Sequence, residues 1–182
     1  MLNLNIINIK NGKILLSLAI LGLTVISALA QTTPSSGKFS VGFEAGVPLG
    51  ALTDISSSAL GASVKYDYPI ADGVFITGSA GYTNFIYKSD YKEALKEFGI
   101  NKSGEGFVPV KAGIKYYINS GFYGEAQGGV VFSTESGGGI AIAYAPGIGY
   151  TWDDHIEVGV RYEGWSHNGT TSQVALRLAY RF

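Results

Sequence analysis

The side-chain types of a serine hydrolase occur close together near the end of the chain, at Glu163, Ser166 and His167. A carboxylate, an imidazole and a hydroxyl can activate a nucleophile when each lies within hydrogen-bond reach of the next. Here Ser166 directly precedes His167, and adjacent residues of an extended chain point to opposite sides. Direct proton transfer between them is therefore disfavoured. We predict an Asn-Gly turn at 168–169 and no catalytic residue, so the chain is not expected to be an enzyme.

A second polar group, Asp153-Asp154-His155, offers two carboxylates and an imidazole to a weakly held cation. A hairpin turn with solvated side chains explains the same residues, because Asp is common in turns. The chain has no cysteine, which excludes a disulfide framework and a thiolate metal site. Its net charge of −1 gives no sign of nucleic-acid binding. We expect no cofactor, no metal site and no nucleic-acid partner.

Charged residues recur at every second position along several segments, which is the period of a β-strand. In 173–182 the apolar side chains occupy the even positions, and Arg177 and Arg181 lie on the opposite face. The same alternation gives other segments one polar face. Its charged members are Glu44, Lys65, Asp67, Lys111, Lys115, Glu125, Glu157, Arg161, Glu163, Arg177 and Arg181. The expected partners of Arg177 and Arg181 are Glu44, Glu157 and Glu163.

The elements that position these residues are eight predicted strands. Their ranges are 38–48, 60–69, 73–85, 106–118, 121–133, 139–152, 155–165 and 171–182. Most are about ten residues long, which suits a tilted strand that crosses a bilayer. Tight turns at 70–73, 119–120 and 153–154 alternate with longer connections. Outer-membrane barrels have this arrangement, with short turns and both termini periplasmic and the long loops extracellular.

The two faces of the strands favour a membrane barrel over a soluble one, whose outside would be polar. The uncharged face would be an aggregation hazard in water but suits lipid. Aromatic residues gather at the short-turn ends of the strands, as in an interfacial girdle. They are Phe39, Tyr66, Tyr68, Phe75, Tyr116, Phe122, Tyr150, Trp152, Tyr180 and Phe182. The sequence predicts an all-β fold, an eight-stranded antiparallel up-and-down transmembrane β-barrel whose interior charges form a salt-bridged network.

The first thirty residues are typical of a cleavable signal peptide. Lys10 and Lys13 precede an apolar run at 14–27, and Ala28-Leu29-Ala30 fits the small-residue cleavage pattern. The rival interpretation is a membrane anchor, but the run is shorter than the roughly 20 residues that a spanning helix needs. We predict cleavage between Ala30 and Gln31, which divides the chain into a signal peptide at 1–30 and a barrel domain at 31–182.

A short helix is predicted at 89–99, in the longest connection. Asp90 with Glu93 has the spacing of a capping box. Gly99 is typical of the residue that follows a helix C-terminus. Such a helix either packs over the barrel mouth or forms a lid or docking element.

Three segments carry a resemblance to a known family: 107–117 (FVPVKAGIKYY), 121–128 (GFYGEAQG) and 175–182 (ALRLAYRF). They resemble the small outer-membrane β-barrel domain family of Bacteroidota, akin to the OmpA-like, OmpX-like and OmpW-like barrels. The resemblance implies an eight-stranded barrel in the cell outer membrane, with outer-membrane lipid and lipopolysaccharide around it. It also implies that Tyr180 and Phe182 form a C-terminal signal for the barrel assembly machinery.

Function follows less directly, because one fold serves many roles. The expected role is structural or surface-interaction, with an unknown surface partner. An alternative is a narrow OmpW-like channel for small solutes. A second alternative is a lipid-modifying enzyme, although lipid A deacylases place the serine after the histidine, and here Ser166 precedes His167.

Overall fold

The computed structural model describes residues 37–135, 137–167 and 169–182, and in them the chain forms a closed barrel of eight antiparallel strands. The strands are β1 (Lys38–Leu49), β2 (Ser56–Ala71), β3 (Val74–Tyr87), β4 (Gly104–Tyr117), β5 (Phe122–Ser133), β6 (Ile140–Trp152), β7 (Ile156–Ser166) and β8 (Thr170–Arg181). Each strand pairs with the next, and β8 pairs with β1. The predicted fold is confirmed. The predicted signal peptide and its cleavage site at Ala30 and Gln31 lie outside the described residues.

The largest departure from the predicted strand bounds is at one end of the barrel. β2 begins at Ser56 rather than at 60, and β3 runs to Tyr87, so that these two residues lie opposite each other. The apolar–polar alternation is weak in this serine-rich stretch, but continued pairing satisfies backbone groups that would otherwise need other partners. The end of the barrel with the longer connections is called the loop end below, and the other is called the turn end.

The turn end is made by tight hairpins whose residues have the backbone freedom that these turns need. Gly73 has φ of +70°, and Asp153 and Asp154 have φ of +46° and +61°. Two successive positive φ values define the hairpin turn whose twist matches that of the flanking strands. The β4–β5 turn uses a side chain instead, because Asn119 Oδ1 accepts hydrogen bonds from the backbone N–H groups of Gly121 and Phe122.

The predicted helix is present as α1 (Ser89–Glu97) between β3 and β4. Its first residue follows Lys88, which makes no side-chain cap, so the capping box predicted for Asp90 and Glu93 is wrong. Asp90 lies instead in the first turn, where its negative charge complements the helix dipole. At the other end Gly99 has φ of +73°, and its N–H donates a hydrogen bond to the Lys96 carbonyl oxygen. Among the described residues no helix has the length and apolar character to cross a membrane.

The two faces of the strands differ as the alternation predicts. The outer face is apolar and exposed, with Phe43 76% and Ile142 68% accessible. The inner face carries the buried polar and charged groups. Phe75 was predicted in the outer girdle, but its ring packs at 5.6 Å from that of the inward-facing Tyr117. Because both faces of β3 carry small residues, the sequence alone does not show which face points into the barrel.

Candidate functional site

The inward side chains nearest the turn end form a charged network centred on Glu157, which is 1% exposed. Its Oε1 accepts hydrogen bonds from Lys65 Nζ at 2.7 Å and from Arg177 Nη1 at 3.0 Å. Its Oε2 accepts a hydrogen bond from Lys115. Glu157 is a residue of β7, and these donors come from β2, β8 and β4. One carboxylate therefore joins strands from around the barrel.

The same network continues toward the loop end through two further carboxylates. Arg161 donates to both oxygens of Glu44, from Nη1 at 3.1 Å and from Nη2 at 2.6 Å. Its Nε also donates to Glu163 at 2.7 Å. Lys111 Nζ donates to the other oxygen of Glu163 at 2.8 Å. Such two-pronged arginine–carboxylate pairs fix geometry as well as charge.

At the turn end the network reaches the surface. Lys115 Nζ lies 3.0 Å from Asp67 Oδ2, and Arg181 Nη1 lies 2.6 Å from Asp154 Oδ1. Lys38 also pairs with Asp154, at 2.9 Å. Partial burial raises the pKa of Asp154, but the hydrogen bond from Lys38 and the charge of Arg181 outweigh that effect and hold this pKa below its ordinary value. Asp154 is therefore a carboxylate stabilised by two cations.

All the charged residues predicted inside the barrel lie on its inner face. Glu125 and Arg161 keep 15% and 14% of their side chains exposed, and the others are buried. Arg177 pairs with Glu157 and, at 3.7 Å, with Glu44. The predicted pairing of Glu163 with Arg177 or Arg181 is wrong. Glu163 lies opposite Gln173 on β8. Its carboxylate pairs instead with Arg161, which lies two residues earlier on the same face of β7.

Two tyrosines that the sequence prediction did not single out line this network. Lys115 Nζ lies 4.0 Å from the ring centroid of Tyr123 and 5.1 Å from that of Tyr117. These are cation–π distances, so the rings help to solvate a buried ammonium group. The alternation contained the signal, because Tyr123 shares the parity of Glu125, and Tyr117 shares that of Lys115.

Little space remains within the network. Two cavities of about 20 Å³ each lie against Lys65, Glu125, Gln127, Arg161 and Arg177. Each is large enough for about one water molecule. Side chains thus fill this part of the barrel.

Toward the loop end the interior changes character and becomes an aromatic cluster. Phe85 and Phe107 pack around Trp165, with ring centroids 5.3 Å and 5.0 Å from the tryptophan. The rest of the buried cluster is formed by Ala59, Val131 and Ala143. Trp165 Nε1 donates to Glu163 Oε1 at 2.9 Å, which joins the cluster to the network. Phe107 and Trp165 share the parity of Lys111 and Glu163, so this cluster could also have been predicted.

A cleft of about 410 Å³ lies on the loop-end side of the aromatic cluster and is called the mouth cleft below. The apolar residues that line the cleft are Phe107, Val131, Ala141 and Trp165. The polar residues that line it are Glu105, Ser133, Glu135, His167 and Thr171. Small-molecule sites often combine an apolar lining of this size with a few polar groups.

The residues of the hydrolase-like group take separate places. Glu163 is buried and bound to Lys111, Arg161 and Trp165. His167 lines the mouth cleft, and Ser166 is exposed at the end of β7. The turn residue His155 places Nδ1 3.2 Å from the Arg181 carbonyl oxygen and stacks on Tyr180. These two contacts hold the His155 ring against β8.

The C-terminal residues lie at the turn end. Tyr180 and Phe182 are exposed on the outer face, and their rings are in contact. The Phe182 N–H donates to the Phe39 carbonyl oxygen at 2.8 Å, so the terminus is attached to β1.

The barrel is similar to solved outer-membrane barrels. Ail, the attachment invasion locus protein of Yersinia pestis, is 17% identical with a TM-score of 0.58, over 81% of this chain and 98% of that one. The N-terminal β-barrel domain of Pseudomonas aeruginosa OprF is 10% identical with a TM-score of 0.51, over 80% and 99%. A de novo designed transmembrane β-barrel is 15% identical with a TM-score of 0.52, over 81% and 97%.

No known protein family and no curated protein matches the chain by sequence. At these identities the structural likeness shows the fold alone. The chain has the fold of the small eight-stranded outer-membrane barrels.

Proposed function

We propose that this chain is a non-enzymatic protein of the cell outer membrane with a structural or surface-interaction role. The observation that carries the proposal is the exposed apolar face, which surrounds a charged and buried interior. Such a face needs lipid as its solvent, and closure leaves no unpaired strand edge in hydrocarbon. Fractionated cells should hold the protein in the outer membrane, and it should migrate differently on gels with and without boiling. A soluble protein that migrates identically in both samples would refute the proposal.

The proposal includes the route by which the chain reaches this membrane. Residues 1–30 would be removed as a signal peptide at Ala30–Gln31, and Tyr180 with Phe182 would be read by the barrel assembly machinery. The exposed position of both rings at the turn end supports the second step. The segments 107–117, 121–128 and 175–182 support membership of the Bacteroidota-type barrel family. Mass spectrometry of the mature protein would test the cleavage site.

The turn end would face the periplasm and the loop end would face the outside. The absence of native cysteine makes this orientation easy to test. In Glu97→Cys, on α1, a membrane-impermeant maleimide should label intact cells. In Asp72→Cys, in the β2–β3 turn, labelling should require permeabilised cells. The opposite pattern would reverse the topology.

A filled interior supports a structural or interaction role over a channel. The charged network and the aromatic cluster occupy successive levels of the barrel, and the cavities in the network hold about one water each. The folded barrel in a planar bilayer should show no conductance steps above background. Reproducible steps from folded protein would favour the OmpW-like channel instead. Ail has also been solved with a heparin analogue, sucrose octasulfate, so a barrel of this fold can bind a ligand.

A further inference from the structure

We propose that the mouth cleft binds a small organic cation, an ammonium or guanidinium group carried on an apolar body. The inference rests on the proposed function only for the side of the membrane from which the ligand arrives. The binding chemistry itself comes from one inward carboxylate, Glu105, and from the aromatic cluster beside it.

Glu105 differs from the other acids of the inner face. Glu44, Asp67, Glu125, Glu157 and Glu163 each have a Lys or Arg partner within 4.0 Å. Within the described ranges, Glu105 has none. Its contacts are two hydroxyl groups, Tyr87 Oη at 3.4 Å and Ser133 Oγ at 3.3 Å. Both distances are long for hydrogen bonds between oxygen atoms. The carboxylate is therefore partly buried and weakly bound, with capacity for a cationic donor.

The aromatic cluster supplies the second part of the site. Phe107 and Trp165 both line the cleft, with their ring centroids 5.0 Å apart. Ring faces attract cations, and tryptophan attracts them most strongly. The same rings offer apolar contact to the body of the ligand. A carboxylate beside aromatic rings thus selects a molecule that is both cationic and apolar.

Two other charged side chains at the cleft, Lys102 and Glu135, pair with each other and not with Glu105. The Lys102 ammonium group is therefore occupied. The volume of about 410 Å³ lies within the range of small-molecule sites. The packed aromatic cluster closes the cleft on its barrel side, so we expect a ligand that binds and leaves through the loop end.

Binding can be followed by tryptophan fluorescence, because the chain has two tryptophans and only Trp165 lines the cleft. The Trp152→Phe protein, folded in detergent, leaves Trp165 as the reporter. Phenethylammonium should give a saturable fluorescence change, and the neutral analogue 2-phenylethanol should bind at least about tenfold more weakly, as one charge-assisted hydrogen bond predicts.

Glu105→Gln in this background should remove the preference for the ammonium compound. The matched control, Glu97→Gln on α1, changes the net charge equally and should leave the preference intact. Ser133→Lys is a second variant, because it places a cation beside Glu105 and should block the site. Equal binding of both compounds, no saturation, or an ammonium preference retained in Glu105→Gln or Ser133→Lys would overturn the proposal.

The gel shift between boiled and unboiled samples separates this proposal from the preceding one. A folded barrel that does not bind phenethylammonium refutes the mouth-cleft site and leaves the membrane barrel standing. A protein without the gel shift refutes the membrane barrel itself.

Discussion

The charged network and the aromatic cluster fill the same barrel by different physical means. In the network, the buried carboxylate of Glu157 is compensated by Lys65, Lys115 and Arg177. In the cluster, Phe85 and Trp165 contribute apolar area and close packing. The network resembles the polar interior of an outer-membrane barrel. The cluster, at the loop end of the barrel, resembles the hydrophobic core of a small soluble protein.

The difference lies in how each region responds to the loss of one member. A buried ion pair contributes little net stability, because desolvation offsets its attraction, but removing one partner leaves an uncompensated charge. Removing an apolar side chain costs its transfer free energy and leaves a cavity. The network should therefore be sensitive to single changes in charge, and the cluster to changes in volume.

The largest effect should come from Glu157→Gln. It leaves the cations of Lys65, Lys115 and Arg177 without their shared carboxylate, and we expect the free energy of unfolding to fall by about 3–5 kcal/mol. Denaturant titration of the barrel in lipid vesicles measures this. The control is Glu97→Gln, the same chemical change on an exposed residue of α1, with an expected effect within about 0.5 kcal/mol. Similar values for both would show that the network is not compensated as described.

A smaller loss should follow Phe85→Ala in the aromatic cluster. The ring is 2% exposed, and its removal should lower the free energy of unfolding by about 3 kcal/mol. Phe98→Ala, at a position 81% exposed, is the matched control and should change it by less than about 0.5 kcal/mol. An equally small effect in Phe85→Ala would mean that the cluster adds no packing energy.

A pH-dependent effect is expected at the turn end, where the network meets solvent. The pKa of Asp154 is lowered in the folded chain, so its contribution to stability is present above the ordinary value of 3.8 and is lost as the pH falls through the lowered pKa. Asp154→Asn should therefore reduce stability near neutral pH and make less difference in acid. The effect should be below about 1 kcal/mol, because the side chain is 56% exposed. Unfolding titrations of the parent and of Asp154→Asn, near neutral pH and in acid, measure this effect. A stability difference between the two proteins that grows in acid would contradict a lowered pKa of Asp154.

The smallest effect should come from Lys102→Gln, which breaks an exposed ion pair with Glu135. Such pairs contribute between zero and about 1 kcal/mol. The stability of this variant should fall within that range and become indistinguishable from the parent in high salt. A loss as large as that of Glu157→Gln would abolish the distinction between buried and surface charges.

Period-two alternation predicted the strands well where one face is charged, as in β7 and β8. It failed where both faces carry small residues. β3 has Thr77 and Ser79 on one face and Gly78 and Ala80 on the other, so the inward position of Phe75 could not be read from polarity.

The partners inside the barrel were less predictable than the faces. Arg161 reaches Glu44 from β7 to β1, and Lys111 reaches Glu163 from β4 to β7. These distances across the lumen depend on strand tilt and stagger, which one-dimensional alternation does not contain. The mouth cleft also depends on two connections that meet in space, β5–β6 through residues 137–139 and β7–β8 through His167.

Alternation cannot detect a shift of two residues between neighbouring strands, because every side chain then stays on its own face. The pairing of opposite charges is sensitive to such a shift. Where β1 meets β8, Glu44 lies opposite Arg177, and a two-residue shift would place Ala175 or Ala179 there instead. A sheet that closed with the wrong stagger would bury unmatched charges. Shifts of two residues would change the strand tilt and the circumference of the barrel but would leave its outer face apolar. The paired charges of the interior thus favour one tilt and one circumference.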